Sequence, residues 1–64
     1  MRPVQKEVYN NGDLTKVEVI DADTGEHIVD VLWDPHDEQT PENRQEFRRY
    51  VDRVIKRKEQ QNGN

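Results

Sequence analysis

Apolar residues alternate with polar ones through three short stretches of this chain, then recur three and four residues apart near its C-terminal end. Period-two alternation marks a strand with two faces, and the three-and-four spacing marks one side of a helix. Val4 to Tyr9 reads as a first strand, and a second carries Val17 and Val19. A third carries Val29, Val31 and Trp33 and stops at Asp34-Pro35, where proline removes a ladder donor. Thr40-Pro41-Glu42 reads as a helix start, with a hydroxyl N-cap, proline at the first helical position and an acid at the positive end of the dipole. Phe47, Tyr50, Val51, Val54 and Ile55 then form one stripe. The predicted fold is α+β: a three-stranded antiparallel β-meander followed by one C-terminal α-helix, β-β-β-α.

Two turns set the expected register. Asn11-Gly12 suits a two-residue type I′ turn, whose central residues both need positive φ. It places Tyr9 opposite Leu14, Val8 opposite Thr15 and Glu7 opposite Lys16. Asp23-Thr24-Gly25 suits a three-residue loop with Gly25 in the left-handed region. It places Val19 opposite Val29, Val17 opposite Val31 and Thr15 opposite Trp33. On the other face it sets Ile20 beside Ile28 and Lys16 beside Leu32. The two readings agree in gathering Val4, Val8, Val17, Val19, Val29, Val31 and Trp33 on one face, with Lys6 among them. The helix covers that face, and Trp33 is expected to meet Phe47 there. The domain is expected over residues 1–59, with Lys56, Arg57 and Lys58 in the last helical turn and 60–64 as a disordered polar tail.

At 64 residues the chain is one domain at most, with a small core. It has no cysteine, no apolar run of membrane-spanning length and no signal-like start, which predicts a soluble cytoplasmic protein that does not enter a membrane. Serine is absent as well, so the hydroxyl nucleophiles reduce to Thr15, Thr24 and Thr40, the last two explained by a turn and a cap. No glycine-rich phosphate loop is present. His36 lies among Asp34, Asp37 and Glu38, but the spacing matches no metal motif, and acids before a helix start are favoured by its dipole. The expectation is a non-enzymatic protein with no catalytic residue, no metal and no cofactor.

The net charge of −4 conceals an uneven layout. Residues 1–40 hold three basic and ten acidic side chains, whereas 41–64 hold seven basic and four acidic. A three-stranded sheet backed by a helix resembles, in outline, small domains that lay their sheet in the DNA major groove. Such a mode implies Arg and Lys on the exposed sheet face, where this chain is apolar and acidic. A nucleic-acid-binding module would instead use the helix, through Arg44, Arg48, Arg49 and Arg53.

The favoured expectation follows from the two-faced ribbon. One helix covers one face, which leaves Tyr9, Leu14, Ile20, Ile28 and Leu32 as an apolar surface on the other. Contiguous apolar surface on a small protein marks an interface. The chain is therefore read as an acidic protein-binding module, an adaptor or inhibitor docking a protein partner or a second copy as a homodimer. Size and composition liken it to the compact accessory proteins of phages and mobile elements.

Overall fold

The computed structural model describes residues 1–62. β1 (Pro3–Asn10), β2 (Asp13–Asp21) and β3 (His27–Leu32) form one antiparallel sheet in the order β1-β2-β3, and α1 (Pro41–Asn62) follows. This is the α+β meander-plus-helix that the hydrophobic pattern predicts. Asn11 and Gly12 both have positive φ, as the type I′ turn requires. The Thr40 hydroxyl accepts the Asn43 N–H at 3.1 Å, so the predicted cap forms. Trp33 and Phe47 meet edge to face with ring centroids 5.1 Å apart.

Two β-bulges change which residues face the helix. The first leaves Thr15 unpaired, because Val8 lies opposite Lys16 while Tyr9 lies opposite Leu14. Beyond it β1 is shifted by one residue from the expected register. Glu7 now pairs with Val17 and Gln5 with Val19, while Val4 and Val8 move to the outer face with Ile20 and Lys16. A one-residue slip reverses every side chain of a strand. The valines of β1 therefore do not join the core, and Lys6 sits on the outer face as well.

The second bulge leaves Ile28 unpaired between Val29, opposite Val19, and His27, opposite Ile20. Asp21 N–H bonds the Glu26 carbonyl at 2.8 Å, so the loop between them has four residues, not three. The bulge absorbs the extra residue, which is why Val17–Val31 and Val19–Val29 still pair as expected. Gly25 keeps its positive φ of 77°.

The core consists of Val17, Val19, Val31, Val51 and Ile55, with Ile28, Val29, Phe47 and Val54 packed against it. Leu14 and Trp33 are buried beside the β1–β2 turn. α1 runs along β2 in the same direction. Arg44 reaches the Gly12 carbonyl at one end, and Lys58 and Gln61 flank Asp21 and Glu26 at the other. Its 22 residues span about 33 Å, which accounts for the 37 Å long dimension of the molecule. The helix continues through Asn62, past Glu59, so its last turn holds no basic residue, and Lys56, Arg57 and Lys58 lie one turn earlier. Gly63 and Asn64, the rest of the expected tail, lie outside the described residues.

Candidate docking edge

The bulges divide the five residues expected on one outer surface. Leu14 is 1% exposed and belongs to the interior. Ile28 packs against the core from the helix side. Tyr9 lies on the helix side too, where its hydroxyl donates to Glu7 at 2.8 Å. Ile20 and Leu32 alone stay on the outer face. The physical reason is common to all three departures: each bulge inserts one residue, so strict alternation fails within a residue or two of each turn.

The outer face is instead a grid of three cross-strand rows: Val4–Ile20–His27, Lys6–Glu18–Asp30 and Val8–Lys16–Leu32. Lys16 Nζ lies 3.2 Å from Glu18 and 3.8 Å from Asp30, and His27 Nε2 lies 2.7 Å from Asp30. The hydrogen bond to His27 holds the Asp30 carboxyl below its usual range. A charged row thus separates two small apolar ends, and the face is not one continuous apolar patch.

The free side of β3 is different. Trp33 N–H bonds the Thr15 carbonyl at 2.9 Å. Hydrogen-bonded pairs alternate in an antiparallel ladder, so Val31 and Val29 also direct their backbone polar groups toward β2. Asp30 and Leu32 then direct theirs outward, away from the sheet. Leu32 is 71% exposed beneath this edge, and Tyr50 is 50% exposed on the helix above it. Between them runs a groove of about 320 Å³ in which Leu32, Trp33, Phe47 and Tyr50 alternate with the polar side chains of Asp34, Asp37, Asn43, Glu46 and Arg53.

The β1 edge carries no such opening. The Ala22 N–H to Arg2 carbonyl bond, at 2.9 Å, sets the same alternation there. Pro3, Gln5 and Glu7 therefore face outward, and Pro3 has no N–H to offer. On the helix side Gln5 Nε2 donates to Asp52 at 3.0 Å, and Arg48 Nε donates to Glu7 at 2.9 Å. Charged side chains on an edge discourage pairing with another strand.

That β1 contact titrates. The Arg48 hydrogen bond, seconded by the Tyr9 hydroxyl, holds the Glu7 carboxyl below its ordinary value near 4.5, and Arg48 is pushed up in turn. A depressed carboxyl pKa stabilises the fold fully above the unfolded-state value and loses that contribution as pH falls through the folded-state value. Asp21 and Asp30 act with the same sign. Urea midpoints should therefore fall between pH 5 and pH 2 in the native chain and fall less in Glu7→Gln. Because the pair is partly solvated, the substitution should cost no more than about 1 kcal/mol at pH 7.

Three of the four arginines expected to read nucleic acid are held by protein acceptors. Arg44 bonds the Gln39 amide and the Gly12 carbonyl, Arg48 bonds Glu7, and Arg49 bonds Glu46 at 2.9 Å. Arg53 stands in the wall of the groove beside β3. No cluster of three His, Cys, Asp or Glu arranged to hold a metal occurs among the described residues, and no described helix is long and apolar enough to cross a membrane.

Gln39 is a structural residue that sequence reasoning passed over. Its amide accepts the Leu14 N–H at 3.1 Å and donates to the Leu14 carbonyl at 3.0 Å. One side chain thus continues the ladder past the end of β3. Comparison with known protein families, curated proteins and solved structures finds no match to this chain.

Proposed function

We propose that this chain is a small non-enzymatic protein-binding module that receives a partner's strand along the open edge of β3. One observation carries the reading: the outward backbone groups of Asp30 and Leu32 lie between two exposed large hydrophobic side chains, Leu32 and Tyr50. Strand addition of this kind draws affinity from main-chain hydrogen bonds and specificity from flanking side-chain pockets. The groove beside Trp33 and Phe47 supplies such a pocket. The docking surface is thus moved from the outer face to its β3 margin, with Leu32 common to both. The arginine contacts weigh against the nucleic-acid alternative, since releasing Arg44 and Arg48 for phosphate would open the contacts that hold the helix to the first hairpin.

A photo-crosslinking amino acid at position 32 or 50, in living cells that produce the chain, tests the assignment. Protein adducts are expected at 32 and 50 and not at the control position Lys6. Equal adducts at both edges, adducts to nucleic acid, or none at 32 and 50 would overturn it.

A further inference from the structure

The geometry points to a second copy of this chain as the occupant of the β3 edge, joined by an antiparallel β3–β3 pairing into a six-stranded sheet with both helices on one face. The inference rests on the edge reading above and adds the identity of the strand. Two observations support it, one from the strand and one from the helix about the axis that the strand sets.

Of the two-fold axes through Asp30, Val31 and Leu32, one avoids setting like charges opposite each other. If the axis passed through Asp30, that carboxylate would face its own copy. If it passed through Leu32, Asp30 would face the second copy's Asp34. Like charges directly opposite are destabilising. With the axis at Val31, Asp30 faces the second copy's Leu32, and the outward N–H and C=O groups of both residues pair. Leu32 then gains a neighbour, and Val31 meets Val31 on the helix side, where the core row continues across the axis.

The helix is complementary to itself about the same axis. Phe47 lies on Trp33. Two residues back along β3 is about 6.6 Å, or four residues along α1, so Val31 is level with residues 50 and 51. Before that level the helix flank carries Glu42 and Glu46, with Arg49 bonded to Glu46 at 2.9 Å, and after it Arg53 and Arg57. Neither Arg53 nor Arg57 has a partner among the described residues. The two-fold runs the helices antiparallel, so Glu46 of each copy comes within side-chain reach of Arg53 of the other. Strands spaced about 4.8 Å apart put the two helices about 14 Å apart, wider than the 8–10 Å of direct helix packing. Tyr50, exposed on that flank and level with the axis, fills the gap from both sides.

The molar mass of the purified full chain, followed by sedimentation over a range of concentrations, tests this. It should approach twice the 7.6 kDa of one chain. Glu46→Arg and Arg53→Glu should each weaken association about tenfold or more, by setting like charges across the axis. The double exchange should restore it. Leu32→Pro should abolish association with the fold retained, since the lost N–H faces away from β2. A chain that stays monomeric at millimolar concentration, or a double exchange that fails to rescue, overturns the self-pairing. If position 32 still crosslinks another protein in cells, the edge reading survives that result. If position 32 crosslinks nothing, both fall.

Discussion

Trp33→Ala should leave the chain unfolded at 25 °C. Trp33 is 8% exposed, packs edge to face on Phe47 and donates its indole N–H to the Asp37 carbonyl at 3.1 Å. Truncating a buried tryptophan costs about 3–5 kcal/mol. At about 0.05–0.15 kcal/mol per residue, a domain of this length has a total stability of the same order. Loss of far-ultraviolet helical signal and of a cooperative thermal transition is the expected result. Trp33→Phe keeps one ring against Phe47 but loses the hydrogen bond and part of the packing, and should cost less than the alanine change, about 1–3 kcal/mol. A cooperative melt for Trp33→Ala near the native midpoint would show that the Trp33–Phe47 contact is peripheral to stability.

Leucine-to-aspartate substitutions at positions 14 and 32 should have opposite outcomes. Leu14 is sealed within the fold, so Leu14→Asp buries a carboxylate and removes a large apolar side chain. Either change is among the few that cost more than about 4 kcal/mol. Leu32 is largely in water, so Leu32→Asp should change the stability of the monomer by about 0.5 kcal/mol or less. Denaturant midpoints measured at a concentration low enough to exclude association distinguish the two. Strict alternation would place both leucines on one face and predict equal effects. Only the bulge at Thr15 separates them.

The strands, the helix start and the Trp33–Phe47 contact were legible because each rests on a local signal: period-two alternation, Thr40-Pro41, and the largest apolar groups on facing elements. The register between Val17–Val19 and Val29–Val31 was legible as well. The outer face was not, since a bulge changes the phase of a strand without changing its composition. The chain does carry a trace of each bulge. Leu14 and Val17 are three apart, and Ile28 adjoins Val29, where an unbroken strand facing one core calls for even spacing. The same shift hid the role of β1. Val4 and Val8 look like core residues by type, but Gln5 and Glu7 face the helix and meet Asp52 and Arg48 there. The reach of the helix past Glu59 was missed because the polar segment after it carries no apolar stripe. Propagating an existing helix costs far less than nucleating one.

The Gln39 amide also bears on the order in which the chain folds. Both sheet pairings join consecutive strands across short turns, so their closure entropy is small. The bonds from Gln39 to Leu14 and from Arg44 to Gly12 span 25 and 32 residues. Both are made to the first hairpin beside its bulge, so they are expected to form after it. Helix docking is therefore the step that carries the longest loop closure, and the connector from Asp34 to Thr40 is where the two hairpins and the helix become a single cooperative unit.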